Sequence, residues 1–211
     1  MTTKKKVCLF WDNSNIYISA KNAARERESV GAHGNLRIQF ENLFKVATAG
    51  REVTRAYCVG SVPPDLEVVW KRLTQKTGVT PELFERGKGS GKEQGIDQCL
   101  QVWMLRCSID IQPPQVAVLL TGDGAGYQTG AGFHADLERM HKAGWGIEVV
   151  TWDAACAGKL RTWATTAGIY LKLEDYYASV TYMEGGRTST PVNLKKRRVA
   201  TPKEQGTADP S

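Results

Sequence analysis

Short apolar runs alternate with helical patterns along this chain. Lys6–Trp11, Glu52–Val59, Val79–Phe84, Gln115–Thr121 and Gly146–Trp152 read as strands, with a short sixth at Ile169–Leu173. Two segments, VAVLL and IEVV, are almost continuously apolar, as strands covered on both faces require. Helical periodicity fills the intervals: Ser14–Glu28, Arg37–Thr48, Pro64–Thr77, Gln94–Cys107, Phe133–Ala143 and Ala154–Ala167. Pro64 suits a first helical turn, and Gly78 and Gly144 suit helix ends. This alternation predicts right-handed βαβ units. The fold class is therefore α/β: a three-layer α/β/α sandwich around a mainly parallel sheet of five to six strands. Past Val192 and Leu194 almost no bulky apolar residue remains. Such a segment cannot repay its ordering entropy, so disorder is expected from about 185–188 onward. The expected organisation is a basic tail over 1–5, one domain over 6–184 and a basic tail over 185–211.

Composition narrows the class. At 211 residues, 41% apolar and 24% charged, the chain is of ordinary globular make-up, which excludes a disordered or fibrous chain. No apolar run approaches the roughly 18–20 residues of a membrane span. The first run is also shorter than the roughly 7–15 residues of a secretory core. The five cysteines are odd in number and form no CxxC pair, so reduced thiols and a cytoplasmic setting are expected. His33, His134 and His141 lack zinc-like partner spacing. The net charge of +6 lies at the ends, because residues 7–190 hold 20 basic and 20 acidic residues. Lys195, Lys196, Arg197 and Arg198 form the densest basic cluster. It reads as a phosphate clamp that raises RNA affinity, as an import signal, or as a solvated tail.

In a parallel sheet, ligands gather beyond the carboxyl ends of the strands. Asp12 ends the first strand, Asp123 follows VAVLLTG, and Asp97 opens the helix after the loop GKGSGK. A helix that follows a strand begins at that same edge. Each acid alone has a plainer use, as an N-cap, a turn residue or a counter to the helix dipole. Together they would repel one another unless a cation sat among them. Carboxylates with retained water suit Mg²⁺ or Mn²⁺, and such an ion polarises a phosphodiester. Most tryptophans fall in apolar patterns. Tyr17 and Tyr127 are the better candidates for stacking on bases.

Three segments resemble the motifs of NYN domains, members of the PIN-like nuclease fold. FWDNSNIYI is similar to the opening motif, with Asp12 and Asn15; KEQGIDQCLQVWML to the second, with Lys92, Gly95 and Asp97; VAVLLTGDG to the third, with Thr121, Gly122 and Asp123. MHKAGWGIEVVTW and IYLKLEDYY resemble the last strands, and the resemblance covers roughly residues 6–177. It implies a metal-dependent ribonuclease. Asp12, Asp97 and Asp123 would hold Mg²⁺ or Mn²⁺, Asn15 would orient Asp12 or touch the scissile phosphate, and Lys92 would meet single-stranded RNA. A homo-oligomer is a further possibility. One feature departs from the family pattern: Gly126 or Gly132 stands where a fourth acid is usual. His134 and Asp136 are the candidate substitutes. The departure leaves room for an RNA-binding or scaffolding module without catalysis.

The glycines offer a rival reading. Gly124-x-Gly126-x-x-x-Gly130 is close to a dinucleotide fingerprint, and Asp153 ends the next strand. That reading leaves Asp12 and Asp97 unexplained, and the motif comes after three strands, with too little chain left for a full two-half dinucleotide fold. GKGSGKE is too short for a Walker loop and has Glu93 at the hydroxyl position. An aspartyl-phosphatase start is disfavoured because Ser14 stands where a second Asp is needed.

Overall fold

The strand VCLFWD is buried over its whole length, as befits the centre of a sheet covered on both faces. The computed structural model describes residues 5–28, 31–62, 67–85 and 95–203. In chain order these form β1 (Val7–Asp12), α1 (Asn13–Arg27), β2 (Leu36–Ile38), α2 (Phe40–Thr48), β3 (Val53–Val62), α3 (Glu67–Thr77), β4 (Pro81–Glu85) and α4 (Ile96–Asp110). There follow β5 (Val116–Leu120), α5 (Gly132–Lys142), β6 (Gly146–Thr151), α6 (Gly158–Ala167), β7 (Ile169–Lys172), α7 (Tyr177–Val180) and β8 (Thr181–Met183).

Six strands make one parallel sheet in the order β4-β3-β1-β5-β6-β7, and β2 pairs antiparallel with β8. The chain winds outward from β1 to β4, crosses back, and winds outward again from β5. The reversal opens a crevice at the carboxyl ends of β1 and β5, where such sheets bind ligands. In this sheet β6 and β7 follow β5 and make one three-strand half with it; as expected, the chain after the glycine motif does not supply a second half.

Alternate residues of β1 serve two cores. Leu9 and Trp11 pack with Ile16 of α1, Leu43 of α2 and Trp70 of α3. Cys8 and Phe10 pack with Leu100 of α4, Leu137 of α5 and Leu160 of α6. All five cysteines are free. Among the described residues, no helix is long and apolar enough to cross a membrane.

Three expectations change. The segment expected as one helix from Arg37 to Thr48 begins with strand β2, and α2 starts after Gln39, whose side chain accepts from Glu41 N. The segment expected as one helix from Ala154 splits into a 3-10 turn at Asp153–Ala155 and α6. The expected disorder does not hold for residues 187–203. Thr190 N donates to Ala178 O at 2.9 Å, and Lys203 N donates to Gly144 O at 2.8 Å.

The cause is Glu148, fully buried in β6. An unpaired buried carboxylate is costly, so it recruits cations. Arg51 binds it at 2.7 and 2.8 Å, Arg197 pairs with it, and Ala200 N donates to it at 2.7 Å. Arg197 also donates to Val46 O at 2.9 Å. Its predicted role as an RNA contact is therefore corrected: it is an internal ion-pair partner. Lys195, Lys196 and Arg198 are exposed. They flank Arg197, which meets the end of α2 and Glu148 near the start of β6, toward the amino edge of the sheet. That edge is about 20 Å from the crevice, given the rise of a six-residue strand.

Candidate active site

Asp12 is both the last residue of β1 and the N-cap of α1. Its Oδ1 accepts from Asn15 N at 2.9 Å, so the carboxylate faces the positive end of the helix. Only 5% of the residue is exposed. The Thr121 hydroxyl, fully buried just past β5, donates toward Oδ2 at 3.4 Å. Asn15 spans the crevice the other way: its Oδ1 accepts from Gly122 N at 3.1 Å. Two polar links thus join the carboxyl ends of β1 and β5. Gly122 permits a close approach, because a Cβ there would lie 2.9 Å from Ala155 O.

Asp123 completes the β5 side of this edge. Its N–H donates to the Thr121 hydroxyl at 3.3 Å, and its Oδ1 accepts from Ala125 N at 2.9 Å, an Asx turn that opens the glycine loop. Asp97 lies in the first turn of α4, whose N-cap Gly95 supplies no side-chain bond. One turn further along the same helix face, Gln101 accepts from Gly132 N at 3.0 Å. This bond sets α4 beside the glycine loop at the carboxyl edge. Sequence reasoning missed Gln101. Its only signal was the four-residue spacing from Asp97.

Among the described residues, no three of His, Cys, Asp and Glu gather closely enough to hold a metal ion. Asp12, Asp97 and Asp123 share an edge without forming a closed cage. Their chemistry nevertheless fits Mg²⁺ or Mn²⁺, which is commonly held by one or two carboxylates plus substrate phosphate rather than by an all-protein cage. Asp12 is the best placed, buried and held from two sides.

The remaining candidates divide. Tyr17 lines a cavity that begins at Asn13, directly after Asp12. Tyr127 is already engaged: its ring stacks on His134 at 3.9 Å and its hydroxyl donates to Glu138 at 2.8 Å. Neither candidate substitute for the fourth acid is available for that task. His134 is wedged between Tyr127 and Trp163, and burial pushes its pKa down. Asp136 pairs with Arg139 at 2.7 Å. Lys92 lies outside the described residues.

The glycine loop is packed against itself. A Cβ on Gly132, at φ +82°, would sit 2.0 Å from Ala125 O, and one on Gly124 would sit 2.5 Å from the Ala157 side chain. Asp153 is held by Lys172 at 3.0 Å, Arg161 at 3.1 Å and Tyr170 at 2.9 Å. Burial raises its pKa, but these partners outweigh burial and leave it below the ordinary value. A ribose would have to displace all three, which weighs against the dinucleotide reading.

A family model described as the NYN domain matches residues 6–169. No curated protein matches the chain. Among solved structures, a protein of unknown function from Vibrio parahaemolyticus shares the fold. Its TM-score is 0.59 at 17% identity, over 83% of this chain and 96% of that one.

Proposed function

Because this chain belongs to the NYN domain family, a nuclease-like family, we propose that the β1/β5 crevice is the active site of a metal-dependent ribonuclease acting on single-stranded RNA. The buried carboxylate of Asp12, fixed at the switch point by α1 and Thr121, carries this reading. Asp12, Asp97 and Asp123 are the residues that would hold Mg²⁺ or Mn²⁺. When bound, the ion supplies charge neutralisation at the phosphodiester and a water acidic enough to attack near neutral pH.

The chain's own residues do the positioning. The N-cap bond from Asn15 N and the Thr121 hydroxyl hold the Asp12 carboxyl group in one orientation. Asn15 ties Gly122 to α1, so the two strand ends keep their spacing when a polyanion arrives. Helices α1 and α4 begin at this edge, and the positive end of a helix favours phosphate.

A fold-retaining RNA-binding module is the second reading. It is favoured by the glycines at 126 and 132 and by the commitment of His134 and Asp136 to other partners. One assay separates the two. Purified chain is incubated with a single-stranded RNA 20-mer in Mn²⁺ or in EDTA. Cleavage only with Mn²⁺ is expected. Binding without cleavage would leave the second reading.

A further inference from the structure

Beside Asp12, on the α1 face of the sheet, lies a cavity of about 550 Å³. That is within the range of small-ligand sites. It opens between α1, α3 and the β2–β8 ribbon. Its lining includes Tyr17, Trp70 and Tyr182, together with Asn13, Lys21 and Arg72. Asn13 follows Asp12 directly, so this cavity adjoins the proposed scissile phosphate.

Two residues of its lining each carry a buried side-chain polar atom that is unsatisfied among the described residues. Asn13 is 6% exposed, and its Oδ1 has no hydrogen-bond partner among the described residues. Trp70 is equally buried, and its Nε1 also lacks one. A buried polar atom left unpaired is costly, and a ligand that pairs with it is favoured. An acceptor and a donor carried by two lining residues of one aromatic-walled cavity suit the edge of a nucleobase, which has both kinds of group.

The cations are placed for the backbone. Among the described residues, neither Lys21 nor Arg72 has a carboxylate partner. Lys21 Nζ lies 5.3 Å from the centre of the Tyr17 ring, and Arg72 donates to the Tyr182 hydroxyl at 3.0 Å. Arg37, by contrast, is committed to Glu184 at 2.5 Å.

We propose that this cavity is a base pocket: it takes one unstacked nucleobase of single-stranded RNA, adjacent to the phosphate at Asp12, and Asn13 selects among bases. The proposal deepens the ribonuclease reading and rests on it for the identity of the strand. A pocket this close to the cleavage edge would give the enzyme sequence preference. Aromatic walls and two cations without a carboxylate partner among the described residues suit a base with its phosphate better than a purely apolar ligand.

The test is a binding titration in EDTA, where the proposed metal-dependent cleavage cannot occur. Fluorescein-labelled hexamers of oligo(A), oligo(C) and oligo(U) are titrated against the full chain. The wild type is expected to separate the best and worst hexamer by about fivefold or more, equivalent to about 1 kcal/mol. Asn13→Ala should compress that spread to less than about twofold. Lys21→Ala should weaken all three by similar factors and keep the spread. Equal binding of the three by wild type, or a spread that survives in Asn13→Ala, would overturn the proposal. Should Asn13→Ala fail to fold, Tyr182→Ala replaces it, and unchanged affinities there overturn the proposal equally. Cleavage in Mn²⁺ is read separately. Selective binding without cleavage would sink the nuclease and keep the pocket, whereas cleavage without selectivity would sink the pocket alone.

Discussion

Asp12 ends a strand, caps a helix and presents a buried carboxylate at the crevice, and these tasks separate on mutation. Asn caps helices about as well as Asp, so Asp12→Asn should keep the fold while removing the charge. Asn15→Ala loses the link to Gly122, and about 1 kcal/mol of stability in urea unfolding is expected to go with it. Histidines give a pH prediction. Burial pushes the pKa of both His134 and His141 below the usual value of 6.5. The folded chain then binds these protons less readily than the unfolded chain. Stability is fully present above about pH 6.5 and is lost as pH falls toward the folded-state values. The melting temperature should drop between pH 7.5 and 5.5, and His134→Phe should make that drop shallower. At this scale the sequence was informative where chemistry sits at a strand end, as with Asp12 and Asp123. It was silent on Asn13 and Gln101, whose roles depend on neighbours brought by other elements.

Elements were legible in proportion to their length and burial. The five long strands follow from apolar-rich runs between helical patterns, but β2 and β8 have three residues each, too few for alternation to register. Arg37 and Ile38 therefore merged with the following helix in the sequence pattern, and the cavity walled by that ribbon could not be foreseen. The glycine loop was readable as a loop, but its purpose was not. Its spacing mimics a phosphate-binding fingerprint, whereas Gly132 is required because the start of α5 passes against Ala125. Gly132→Ala combines a left-handed φ of +82° with a 2.0 Å clash, and it should cost about 2 kcal/mol or more by urea unfolding.

The charge of the whole molecule is distributed differently from what its ends suggested. Arg197 is drawn inward by Glu148, and the exposed Lys195, Lys196 and Arg198 sit at the sheet edge opposite the crevice. A clue was present in the sequence: Glu148 interrupts the apolar run GIEVVT, and a buried carboxylate needs a cation from elsewhere in the chain. Arg197→Ala should lower stability by about 3 kcal/mol, since Glu148 would keep only Arg51 as its cationic partner. Replacing Lys195, Lys196 and Arg198 with alanine should leave RNA affinity within about twofold of wild type in filter binding. The central claim is that the buried carboxylate at the switch point drives hydrolysis, and single-turnover cleavage of single-stranded RNA in Mn²⁺ tests it most directly. Asp12→Asn, with its melting temperature close to that of wild type, is predicted to lose about 100-fold or more in rate; cleavage at the wild-type rate by that variant would contradict the account.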